Sequence, residues 1–162
     1  MPHSKSDLER ELKERLRFET LLTEISANFV NLPADRIDGA IEDAQRRVCE
    51  CLGLDLSSLW QWDAQSPRRM TITHFFSPPE GPSRPESIDA REAFPWMFQK
   101  MLDGEALKIS TEALPPQAER DRESRRRYGI KSSVVIPLAT GGGPLIGILS
   151  FNIFMYAASR GF

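Results

Sequence analysis

The side chains here whose chemistry could go beyond packing are two cysteines, two histidines, three tryptophans and one arginine-rich run. Cys49 and Cys51 stand two apart. On a helix that spacing turns their side chains about 200° from each other, so they cannot jointly grip a metal. Cys51 falls on an apolar stripe, where a free cysteine is ordinarily core. His3 belongs to the N-terminal tail. His74 is left alone, and one histidine makes neither a triad nor a metal site. On a strand it either satisfies its ring nitrogens within the fold or hydrogen-bonds a ligand. Trp60, Trp62 and Trp96 supply aromatic bulk, as core or as the apolar floor of a pocket. The run Arg120-Asp121-Arg122-Glu123-Ser124-Arg125-Arg126-Arg127 could attract an anion. Its interleaved carboxylates read instead as a solvated ion-pair face, largely exposed.

The elements that must position these groups follow from periodicity. Ser6-Asp7-Leu8-Glu9 matches a capping box, and residues 1–5 are expected to be loose. The helix after it runs to about Phe29. Its first half carries only a narrow stripe, Leu8, Leu12 and Leu16. Pro33 suits the first turn of a second helix. There Ile37, Ile41, Ala44, Val48, Cys51 and Leu52 recur at helical spacing, and Gly53 closes it.

Leu56 to Asp63 reads as a strand, with Ser58, Trp60 and Trp62 on one face. Met70 to Phe76 is its hairpin partner, with Met70, Ile72, His74 and Phe76 on one face. A proline-rich loop follows, Ser77 to Pro85. A helix from Phe94-Pro95 to Gly104 buries Phe94, Met97, Phe98 and Met101. Ala106 to Ser110 is a short strand, and Pro115-Pro116 opens a helix that Gly129 closes. Val134 to Leu138 and Leu145 to Phe151 flank Thr140-Gly141-Gly142-Gly143. So short a link joins antiparallel neighbours. It lacks the lysine and following helix of a phosphate loop. Neither run alternates cleanly, so both faces of the sheet are expected to be covered. Pro137 cannot donate to a ladder and implies an edge or a bulge.

At 162 residues, 40% apolar and 27% charged, the chain has the composition of one soluble globular domain. Its net charge of -2 argues against a nucleic-acid or acidic-membrane partner. No apolar run approaches a membrane span, and the first residues lack a signal peptide's apolar core. With no disulfide framework, a reducing cytoplasm is the simplest expectation.

The element order, ending in S-S-V-V-I-P-L and L-I-G-I-L-S-F-N, resembles the GAF domain family, small-molecule-binding and dimerising modules of signalling proteins. The likeness spans roughly residues 18–152. It is closest to GAF domains of bacterial sensor histidine kinases and sigma-54-type regulators, which carry phrases similar to R-F-E-T-L-L, I-E-D-A-Q-R-R-V-C-E-C-L-G-L, S-L-W-Q-W and P-P-E-G-P. The resemblance implies an α/β fold of the α+β kind. A central antiparallel sheet of about five strands has the first two helices on one face and the middle helices, roofing a pocket, on the other. The domain would run over 18–153, with a helical extension at 1–17 and a short divergent tail at 154–162. The long closing helix of the family is expected to be missing, because ten residues after Asn152 are too few for it.

By position, the implied pocket draws on Trp60, Trp62, His74, Phe94, Trp96, Met97, Met101 and Tyr128. The signature of cyclic-nucleotide GAF domains is not recognisable, and no cysteine stands beside the third helix to attach a linear tetrapyrrole. The cofactor is unknown and no metal is expected. The expected role is a non-enzymatic sensory domain of bacterial two-component signalling. It would bind a small molecule, pair as a homodimer through Leu8, Leu12 and Leu16, or do both. A small pocket enzyme and a purely structural dimer module are the alternatives.

Overall fold

A computed structural model describes residues 4–155; the expected divergent tail lies, apart from its first two residues, outside them. The described residues form a five-stranded antiparallel sheet in the order β2-β1-β5-β4-β3. Its strands are β1 (Leu56–Trp62), β2 (Met70–Phe76), β3 (Leu107–Ser110), β4 (Ile130–Ala139) and β5 (Leu145–Phe154). The terminal hairpin expected from the triple glycine is β4-β5. Gly141 and Gly142 take φ of 54° and 75°, and Gly143 N donates to Thr140 O at 2.8 Å. Only residues tolerant of positive φ close a hairpin this way. Pro137 pairs with Ile148 of β5, while β3 reaches only as far as Val135. The proline therefore lies where β4 has no strand on its other side.

Helix α1 (Lys5–Phe29) is continuous. Its capping box is set two residues earlier than expected: Ser4 Oγ accepts from Asp7 N, and Asp7 reaches back to Ser4 N. A serine three residues before an acid satisfies the box wherever the helix begins, and Ser4 adds a further half-turn. Pro33 does not enter a helix either; it precedes a 3₁₀ turn, Ala34–Arg36, that leads into α2 (Ile37–Leu52). Helix α1 packs on α2, and α2 packs on β1 and β2.

The buried face of α2 is rotated from the expected stripe. Gln45 and Cys49 are buried, Ile37 and Leu52 are exposed, and Cys51 is half-buried toward α1. The rotation carries Gln45 inward, where its Nε2 donates to Ser57 Oγ of β1 at 3.1 Å while its Oε1 finds no partner among the described residues.

On the opposite face lie α3 (Ala90–Ala93), α4 (Pro95–Leu102) and α5 (Glu119–Arg127). The main core fills the space between them and the sheet. Trp60, Met70, Ile72, Val135 and Ile148 rise from the strands to meet Phe94, Phe98 and Met101.

Candidate functional site

Strand β2 decides which polar groups face this side. Leu59 pairs with His74 but Trp60 pairs with Ile72, so Thr73 is an extra residue in the ladder. Such a bulge reverses the alternation beyond it. Met70 and Ile72 face the core with Trp60, whereas His74 turns to the other face. There its Nε2 meets Asp38 Oδ1 of α2 at 2.8 Å and its Nδ1 meets Thr73 Oγ1 at 3.0 Å.

The same reversal brings Phe75 beside Ser58 on the core side. A cavity of about 80 Å³ opens there. Leu56, Ser58, Trp60 and Asn152 form its floor, and Phe94 and Tyr128 one wall. Ile72, Phe75 and Ile88 close the side toward β2, and Ile130 and Phe154 the other end. Pro82, Ser83 and Pro85 of the proline-rich loop form the rim. The loop is held by Arg84, whose guanidinium donates to Ile72 O, and by Arg69 Nη2, which donates to Ser87 O at 3.3 Å.

A buried polar chain adjoins this floor. Arg125 of α5 is 2% exposed. Its Nε donates to Thr111 Oγ1 at 2.8 Å and its Nη1 to Ser133 Oγ at 3.0 Å. Ser133 Oγ in turn donates to Asn152 Oδ1 at 2.5 Å. On the neighbouring row, Trp60 Nε1 donates to Ser58 Oγ at 2.9 Å, and Ser58 and Ser150 share a hydrogen bond at 2.6 Å.

Burial pulls the Arg125 guanidinium down to about 10, and the Asp121 carboxylate one turn away works against that, so it remains charged near neutrality. Burial pushes the Asp121 carboxyl up, opposed by the backbone N–H groups of Met97 and Trp96. Those two donate to Asp121 at 2.8 and 3.0 Å, so the carboxylate caps α4 from a different helix. The middle of α5 is therefore not the solvated face its composition suggests. Asp121, Ser124 and Arg125 are buried, while Arg120, Glu123, Arg126 and Arg127 remain outside.

The GAF domain family model matches residues 36–152. The chain belongs to the GAF domain family. Solved structures agree on the fold. The phycocyanobilin-bound GAF domain of a cyanobacterial phytochrome superposes with a TM-score of 0.65 at 17% identity, over 83% of this chain and 78% of that one. The GAF domain of an Acinetobacter phosphoenolpyruvate-protein phosphotransferase gives 0.59 at 13% identity, over 85% and 76%. A Staphylococcus aureus NreA protein mutated in its nitrate binding site gives 0.57 at 16% identity, over 74% and 87%. No curated protein matches the chain significantly by sequence.

Within this GAF domain, Trp60, Phe94 and Tyr128 line the cavity as the sequence suggests. The other five expected residues do not. Trp62 donates its Nε1 to Leu145 O at 2.7 Å and packs edge-on against Phe98. Met101 is fully buried in the core, and Met97 packs at its margin. Trp96 packs there too, with Lys100 Nζ 5.6 Å from its ring centre. His74 is on the far face. Ser58 and Asn152 were the residues sequence reasoning missed. The available signal was a polar residue, on a position facing the core, inside an otherwise apolar strand.

Cys49, not Cys51, is the core cysteine, and burial pushes its thiol up to about 12. Among the described residues no group of His, Cys, Asp and Glu could hold a metal ion, and no helix is long and apolar enough to cross a membrane.

Proposed function

We propose that this GAF domain is a non-enzymatic sensor of bacterial two-component signalling that binds a small molecule between its sheet and α3–α5. The observation that carries this reading is the cavity under the proline-rich loop, lined by aromatic and aliphatic side chains with few polar atoms. Pockets of that composition bind ligands and orient them by a small number of polar contacts. Among the lining residues there is no carboxylate, imidazole, amine or thiol to act as acid, base or nucleophile, which favours binding over catalysis. Relatives of the same fold described as phycocyanobilin-bound, or as having a nitrate binding site, support a ligand role. A bilin itself is disfavoured, because drug-sized ligands already need roughly 300–1,000 Å³. The phrases shared with sensor kinases and sigma-54-type regulators support the signalling context, and a cytoplasmic location goes with it.

Pairing of two copies through α1 belongs to the same reading. Leu8, Leu12 and Leu16 are 54%, 68% and 62% exposed on one helix. The charges around them, Glu9, Arg10, Glu11, Lys13, Glu14, Arg15 and Arg17, mix both signs, so a second copy meets little net repulsion.

Native mass spectrometry of freshly purified protein tests the ligand. A retained small molecule, released on unfolding, is the expected result. Protein of bare chain mass, whose melting temperature no metabolite mixture raises, would leave only the structural-module reading.

A further inference from the structure

Among the cavity's polar groups one is unspent. Asn152 is 7% exposed and lines the cavity. Its side-chain oxygen is taken by Ser133, and its amide nitrogen has no partner among the described residues. That nitrogen is not sealed away either, as the Nη2 of Arg125 is.

The orientation of the amide follows from the chain of hydrogen bonds behind it. A guanidinium can only donate. Ser133 Oγ accepts from Arg125, and its own proton passes on to Asn152. With its oxygen facing Ser133, the amide turns its NH₂ away from that hydroxyl and toward the cavity that Asn152 lines. Trp60 Nε1, likewise donor-only, is already committed to Ser58. A buried donor without an acceptor is costly, which makes an acceptor on the occupant the natural complement.

Charge and volume narrow the occupant further. No lining residue is charged. Of the nearby cations, Arg84 is held on the carbonyl oxygen of Ile72, and Arg125 lies behind Ser133 and is faced by Asp121 of its own helix. An anion brought into the cavity would lose its water without a compensating ion pair. The volume of about 80 Å³ is near half of the roughly 150 Å³ of a dry cavity that holds benzene. The mouth under Pro82 and Pro85 adds some room.

Resting on the ligand-binding reading above, we propose that the ligand is a small uncharged molecule, of about three to four non-hydrogen atoms, whose carbonyl-type acceptor takes a hydrogen bond from Asn152 Nδ2. Its apolar remainder packs between Trp60, Phe94 and Tyr128. The class is that of short ketones, aldehydes and amides.

Three probes of one shape separate the possibilities: acetone, its alkene analogue 2-methylpropene, and acetate. Each is titrated into the whole protein while NMR follows the Asn152 side-chain amide and the Trp60 indole. The ketone is expected to move both resonances and saturate. The alkene and the carboxylate are expected to bind about tenfold more weakly or not at all. Asn152→Asp keeps an oxygen for Ser133 but presents an acceptor to the cavity, and should abolish the preference for the ketone with the fold intact. Asn152→Leu, of similar volume, should make ketone and alkene equal.

Tighter binding of acetate would overturn the uncharged class, and equal binding of the alkene to wild type would overturn the role of Asn152. Both results would leave the sensor reading standing. Binding of none of the three overturns the proposal. It takes the sensor reading with it only if mass spectrometry also finds no retained molecule.

Discussion

Asp121 and Arg125 are buried charged side chains that tie elements together, and neither lines the cavity. Asp121 holds the first turn of α4, and Arg125 ties α5 to Ser133 and Thr111. Because burial raises the Asp121 carboxyl, the unfolded chain releases its proton at lower pH than the folded one. The stability this group contributes is thus complete below the ordinary carboxyl range and is lost as pH rises through the raised folded value. Asp121→Asn cannot titrate. The stability of wild type relative to this variant should therefore fall as pH rises through and above the ordinary carboxyl range, as read from urea denaturation at a series of pH values. A constant difference would show that the carboxyl is not shifted upward. Arg125 works the other way at alkaline pH. Its folded value of about 10 lies below the usual guanidinium range, so between the two the unfolded chain binds more protons and this group's contribution rises with pH.

Among the elements, the β4-β5 hairpin packs closely on β1. A Cβ built on Gly147 would lie 2.8 Å from Trp60 O on β1. Backbone in the middle of a paired sheet cannot swing aside as a side-chain tip can. Gly147→Val should therefore cost about 1–3 kcal/mol through overpacking, seen as a lower denaturation midpoint. A wild-type midpoint would show that the two strands part more easily than their ladder suggests. The bulge at Thr73 is the other decisive element. One added residue turns Phe75 to the cavity and sends His74 to Asp38 on α2.

For the molecule as a whole, α1 is the part least accounted for by its own chain. It buries Leu21 against α2 and leaves Leu8, Leu12 and Leu16 in water. Fully burying one leucine is worth about 1.5–3 kcal/mol, and a pair of helices would cover six against the entropy of association. Sedimentation at micromolar concentration should show a dimer, and the double variant Leu12→Glu, Leu16→Glu should sediment as a monomer with its fold retained. A monomeric wild type, or a dimer indifferent to the two glutamates, would remove α1 as the interface.

What the sequence determined by itself was whatever depends on near neighbours. Helical spacing located α1 and α2, and apolar runs around the triple glycine located β4 and β5. The order of these elements was enough to indicate the family's fold. The sequence did not determine which side of an element meets the core when a distant partner settles it. Cys49 replaces Cys51 inside, on the face where Gln45 finds Ser57. His74 leaves the cavity because a single bulged residue reverses β2. Arg125, in the most charged stretch of the chain, is buried because Thr111 and Ser133 accept its protons and Asp121 stands one turn away. Local pattern carries the free energy of contacts within a turn or a strand. The hydrogen bonds that let a polar side chain enter the interior join residues far apart in sequence, and only the tertiary structure brings them together.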